Sequence, residues 1–112
     1  MSTPERPKFV VYAPDKTDEG SMQRRLAVRQ EHLQRAANPP DGIVVHVGGA
    51  MLTPESLAPD AETKMVGSII IFEADNIDVV RKQIESDVYY KTGVWDAEEL
   101  VILPFMGRIV GK

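Results

Sequence analysis

The chain has no cysteine among its 112 residues. That excludes a disulfide framework and a thiol nucleophile, and it fits a reducing compartment. Histidine is scarce, with two residues, His32 and His46, set well apart. Two such histidines without cysteine do not make metal-ligand spacing, so no metal is expected. Basic residues are outnumbered, 13 Lys and Arg against 17 Asp and Glu, for a net charge of -4. A nucleic-acid partner usually needs a basic face, so none is expected. No apolar run approaches the roughly 18 residues of a membrane span. The opening Met1 to Pro7 is polar and lacks the apolar core of a signal peptide. The expectation is a cytoplasmic protein with a loose N-terminal tail and no membrane partner. Gly48-Gly49 reads as a turn. Neither Gly-Lys-Ser/Thr nor a dinucleotide fingerprint follows it, so no cofactor is expected.

What is present fits one domain spanning 1–112, with a core from about 8 to 106. Lys8 to Ala13 is β-branched and aromatic and stops at Pro14, which predicts a first strand. Ser21 to Ala37 reads as a helix with Ser21 as its N-cap, ended by Asn38-Pro39-Pro40-Asp41-Gly42. Ile43 to Val47 and Met65 to Glu73 are the next strands, separated by a long connection, Leu52 to Lys64, with two prolines. Asp75 or Asn76 caps a second helix running to about Ser86, striped by Ile77, Val80 and Ile84. Asp87 to Gly93 reads as a turn. Leu100 to Met106 is a fourth strand, placed at an edge because Pro104 has no N–H to donate.

The order β-α-β-β-α-β predicts an α+β, ferredoxin-like fold, a four-stranded antiparallel sheet with both helices on one face. A sheet covered on one side alternates apolar and polar residues. Here Ile43-Val44-Val45, Ile69-Ile70-Ile71-Phe72 and Val101-Ile102-Leu103 are apolar on both faces. The uncovered face needs a partner, and a second copy of the chain is the first choice: a homodimer packed sheet to sheet. The alternative is a monomer with an open apolar cleft for a small ligand.

In the first helix, Met22, Leu26, Leu33 and Ala37 fall on one stripe at helical spacing. Arg29 lands inside it, with Arg25 and His32 on its border. A guanidinium facing a core or cleft needs an anion, and a histidine beside it is a candidate proton carrier. Arg25 itself reads as a solvated helix residue.

These features in order resemble the YCII-related (YciI-like) family. The matching pieces are Phe9 to Ala13, Arg24-Arg25-Leu26, Arg29-x-x-His32-Leu33, Gly48-Gly49 and Gly67-Ser68. Asp87-x-Tyr89, Gly93-Val94 and Pro104-Phe105 complete the set. The resemblance implies a ferredoxin-like dimeric α+β barrel, as in muconolactone isomerase, and a His–Asp pair that maps to His32 and Asp87. One branch resembling the family eliminates chloride from a chlorinated hydroxyquinol. Two departures stand out: Val88 replaces a usual proline after Asp87, and Gln30 replaces a frequent helix proline. With Gln30 the helix is expected to run unbroken.

The candidate site is therefore His32 as base and Asp87 as its orienting carboxylate. Arg29 would stabilise or bind an anion, unless it pairs with Asp87 or Glu85. Ser68 would donate a hydrogen bond, unless it is an ordinary strand-end serine. Tyr89 and Tyr90 would line the pocket, and Trp95 would serve core packing or a dimer contact. His46 reads as a satisfied sheet histidine. A triad of Ser68, His32 and Asp87 lacks a nucleophile elbow. Two function classes stay open: a small cofactor-independent lyase or isomerase acting on a cyclic enol, phenol or lactone-like substrate, and a dimeric ligand-binding or accessory module without turnover. A cofactor-free oxygenase is a third reading.

Overall fold

The β-branched runs form the sheet that their periodicity predicts. In the computed structural model, which describes residues 6–107, β1 (Lys8–Pro14), β2 (Val44–Leu52), β3 (Met65–Glu73) and β4 (Val101–Phe105) make one sheet. Its strand order is β2-β3-β1-β4, with every neighbouring pair antiparallel. The connections are α1 (Ser21–Ala37), α2 (Ile77–Glu85) and the one-turn helix α3 (Val88–Lys91). This is the α+β, ferredoxin-like fold. β4 is an edge strand, with Pro104 opposite Phe9 on its paired side.

The core lies on one face of the sheet. Phe9, Val11, Ile70, Phe72 and Ile102 pack there against Val80 and Ile84 of α2 and Tyr89 of α3. The alternate residues form the other face, which no helix covers. Tyr12, Val101, Leu103 and Phe105 are all exposed there, Leu103 by 55%. The strands are two-faced, as the sequence suggested. Among the described residues no helix is long and apolar enough to cross a membrane.

Several local expectations need correction. Gly48-Gly49 is no turn: β2 runs through it to Leu52, and Gly48 and Gly49 pair with Ile70 and Ile69. The strand carries a β-bulge just before it. Val45 pairs with Phe72 and Val47 with Ile71, so His46 is the extra residue. The connection after β2 contains a short 3-10 helix, Pro54–Leu57. Asp87 to Gly93 contains helix α3, capped by the Asp87 side chain, which accepts from the Tyr89 N–H. That cap fixes the segment without the family's proline. Ser21 is not the cap of α1. Gly20 holds that position, with no side-chain cap bond. In the N-terminal tail, Arg6 bonds the Gly42 carbonyl at 2.7 Å and the Pro7 carbonyl accepts from Ala74, so these two are anchored. The rest of the tail lies outside the described residues.

The largest correction concerns α1. The helix runs unbroken but is turned by about one residue, or 100°, from the expected face. Leu26 is 53% exposed and Leu33 41%, whereas Arg25 is 3% exposed. The inward stripe is Arg25, Val28, His32 and Arg35. Acids carried by other elements explain the turn. Buried guanidiniums need carboxylates, and β1 and α3 each present one.

Candidate active site

The first of those acids is Asp15, the residue after β1. Its N–H donates to the Val66 carbonyl, while Lys16 and Asp96 tie the same segment to residues 94–96. Arg25 Nη1 donates to both Asp15 carboxylate oxygens, at 2.8 and 3.0 Å. Arg25 Nη2 donates to Ser68 Oγ at 3.1 Å, which also accepts from Trp95 Nε1 at 3.1 Å. Burial raises the Asp15 carboxyl above its usual range, and the Arg25 charge opposes that rise. Arg25 is thus no solvated helix residue but one half of a buried ion pair.

The second acid is Asp87, at the start of α3. Its Oδ1 lies 2.9 Å from His32 Nδ1 and also accepts from the Tyr89 N–H at 2.9 Å. The Arg35 Nε stands 3.9 Å from Oδ2, while its Nη2 donates to the Gln83 carbonyl and to Ser86 Oγ. With the carboxylate accepting at Nδ1–H, the lone pair of His32 rests on Nε2. Nε2 makes no hydrogen bond among the described residues.

Three rings pack around this pair. His32 stacks on Tyr89, and both meet Trp95 edge to face. The Arg25 guanidinium carbon lies 4.7 Å from the Tyr89 ring centroid. Burial is the main cause that raises the Tyr89 phenol above its usual value, so it stays neutral at physiological pH.

A cavity of about 390 Å³ opens between α1 and the β2 end of the sheet. His32, Arg25, Arg29, Arg35, Asp87, Ser68 and Tyr89 line it together with Val45, Ile70 and Phe72. That volume suits a small molecule with one ring. The expected residues His32, Asp87, Arg29, Ser68 and Tyr89 all reach this one cavity. Arg29 is exposed and forms no ion pair with Asp87 or Glu85 among the described residues. Ser68 is buried and accepts two hydrogen bonds, with its own hydroxyl hydrogen used in neither. Tyr90 does not line the cavity, and Trp95 is a core residue. His46 lies elsewhere, its Nε2 2.8 Å from Glu73 Oε1 on the open sheet face. Among the described residues no group of three or more His, Asp or Glu side chains is placed to hold a metal.

Sequence reasoning missed Asp15 and Arg35 and read Arg25 as solvated. For the two arginines the signal was the spacing 25, 28, 32 and 35, which is helical but polar, and so was outweighed by the leucine stripe; Asp15 carried no such signal.

A ferredoxin-like sheet with a histidine–carboxylate pair on the wall of a small cavity defines a compact α+β class of protein. Within it, the chain belongs to the YCII-related family, whose domain model matches residues 8–105. Among solved structures it is similar to the 5-chloro-2-hydroxyhydroquinone dehydrochlorinase TftG from Burkholderia phenoliruptrix AC1100, determined in complex with 2,5-dihydroxybenzoquinone. The two share 27% identity over 88% of this chain and 93% of that one, with a TM-score of 0.72. No curated protein matches the chain.

Proposed function

We propose that the protein is a small cofactor-independent lyase that eliminates halide or water from a cyclic enol or phenol, with His32 as general base. The 2.9 Å contact between His32 Nδ1 and Asp87 Oδ1 carries this reading. It fixes one tautomer and leaves Nε2 basic at the wall of a ring-sized cavity. The dehydrochlorinase activity named for the similar TftG structure supports it.

In the proposed step, His32 Nε2 accepts a proton from the bound ring. The electrons of the broken bond form the new double bond, and the C–Cl bond breaks with chloride taking its pair; in the dehydration case the C–O bond breaks and the hydroxyl leaves as water by taking the proton back from His32. The imidazolium charge is offset by Asp87. Arg29 sits where negative charge develops on the ring oxygen. Tyr89 supports the imidazole from beneath, and Ser68 holds Arg25 while keeping a hydrogen to donate. If the proton returned to another carbon, the same groups would serve isomerisation.

Halogenated hydroxyquinols, 5-chloro-2-hydroxyhydroquinone first, test the reading by chloride release. The wild-type chain should release chloride, and His32→Asn should lower the rate by roughly 10²–10⁴-fold. Equal rates in the two would overturn the assignment. Ligand recovered chemically unchanged would point to the binding module instead.

We further propose a two-fold dimer that joins the open sheet faces. Tyr12, Val101, Leu103 and Phe105 lie exposed on that face, and each large aliphatic group buried there contributes roughly 1.5–3 kcal/mol. Sedimentation at low micromolar concentration should give twice the 12.4 kDa chain mass. Leu103→Glu should give the monomer. A wild-type monomer would sink the dimer without touching the chemistry.

A further inference from the structure

The cavity carries an imbalance of charge that is present before any reaction begins. Three guanidiniums line it, Arg25, Arg29 and Arg35. Arg25 is met by Asp15 and Arg35 faces Asp87. The Asp87 carboxylate also meets His32 Nδ1. Two carboxylates therefore stand against three guanidiniums, and the surplus charge sits on Arg29. The Nε–H groups of Arg25 and Arg35 are buried and have no acceptor among the described residues. The positive potential at the cavity is thus not fully offset from within the chain.

The shape is as distinctive as the charge. The β-bulge puts Gly48 on the helix-facing side of β2, opposite Ile70. A Cβ built on Gly48 would meet only Val45 Cγ1, at 3.7 Å, so the space above it is open. Val45, Ile70 and Phe72 give that space apolar walls. Gly48 and Arg29 both line the cavity, so a ring seated over the glycine shares its space with the guanidinium. A side chain at position 48 would project into that space.

We infer that the cavity takes a flat, ring-sized molecule with one net negative charge, that Arg29 recognises the charge, and that Gly48 sets the thickness admitted. This rests on the proposed function's reading of the cavity as the substrate site, and it adds that the substrate is bound as an anion in its ground state. An acidic ring hydroxyl or a ring carboxylate supplies the same chemistry.

Calorimetry with benzoate and benzamide tests the charge, because the two share size and ring but not charge. The wild-type chain should bind benzoate about tenfold or more tightly than benzamide, as for a charge-assisted hydrogen bond. Arg29→Gln should bind the two alike. Benzoate against 1-adamantanecarboxylate tests thickness: the wild type should take only benzoate. Gly48→Val should lose benzoate, and Gly48→Ala, which meets no close contact, should weaken it. Equal binding of benzoate and benzamide, binding of neither, or a preference that survives Arg29→Gln would overturn the charge reading. Full benzoate affinity in both Gly48 variants, or tight binding of the adamantane acid, would overturn the thickness reading. His32→Asn separates this from the chemistry. It should keep the anion preference while chloride release is lost. Chloride release retained in that variant beside an intact preference would sink the base and leave the anion site standing. Lost release without any preference would do the reverse.

Discussion

The His32 imidazole lies on the Tyr89 ring, centroids 3.9 Å apart and planes 11° from parallel. Asp87 Oδ1 bonds both partners, His32 through Nδ1 and Tyr89 through its backbone N–H. One carboxylate oxygen therefore sets the imidazole and the surface beneath it together. Tyr89→Phe should keep turnover near wild type, because the stack needs the ring and not the hydroxyl. Tyr89→Leu should lose the stack and about 0.5–1.5 kcal/mol with it. Asp87→Asn should lower turnover by roughly 10²-fold, the low end of what a positioned base contributes. Steady-state kinetics and urea melts on the three variants check this. Wild-type turnover in Asp87→Asn would contradict it.

The buried pair of Arg25 and Asp15 should behave asymmetrically on mutation. Removing one partner leaves an uncompensated charge, at a cost of about 3–5 kcal/mol, whereas replacing both by apolar groups costs far less. Arg25→Met should fall in that range at pH 7, and Arg25→Met with Asp15→Leu should recover most of the loss. The pH dependence carries a sign. Burial raises the folded-state pKa of Asp15, and loss of Arg25 removes the opposing charge. Stability of the single variant should therefore rise as pH falls through that raised value, when Asp15 takes up a proton. Urea midpoints between about pH 8 and pH 5 measure the slope.

Gly67 lies where β1, β2 and β3 come together. A Cβ there would stand 2.4 Å from Met51 Cε, 2.9 Å from the Ala13 carbonyl oxygen and 3.0 Å from Pro14 Cα. The methionine tip can swing away, but the backbone atoms cannot. Gly67→Ala should therefore destabilise the fold by about 1–3 kcal/mol, and adding Met51→Ala should not restore it. A rescue in thermal melts would show that the side chain, rather than the strand, sets the limit.

Outside the cavity, Asp18 is paired with Arg24 at 2.7 Å. Its hydrogen bond to Arg24 is the main cause that lowers the Asp18 carboxyl from 3.8 to about 2. A depressed carboxylate contributes stability that is present above its unfolded value and lost as pH falls through the folded one. Between pH 5 and pH 2, the wild type should lose more stability than Asp18→Asn. Parallel slopes for the two chains would remove Asp18 from the acid response.

The sheet was legible because its strands are β-branched runs bounded by proline and glycine. α2 was legible because Ile77, Val80 and Ile84 agree with its burial. α1 was not. Its length could be read, but its rotation depends on Asp15 and Asp87, which lie 10 residues before Arg25 and 55 residues after His32 along the chain. Hydrophobic periodicity carries no information about partners so distant, and here a polar stripe won over a leucine stripe. The helix pattern had marked His32 as a candidate proton carrier, and the resemblance to YCII-related proteins paired it with Asp87. Hydrophobicity could not mark Arg25 as buried, since its ion pair with Asp15 forms only once the end of β1 and α1 are packed.

The extra residue at His46 also settles how the cavity can change over generations. Continued without the bulge, the ladder would set Val47 beside Ile70, on the helix side, and turn Gly48 to the open face. The bulge absorbs His46, so Val47 and Gly48 keep the pairing that a strand lacking this residue would have. A roomy inner side and an apolar outer one therefore survive the gain of one residue at this point, and its loss would leave both where they are. For this strand the bulge is a buffer between the length of the chain and the lining of the cavity.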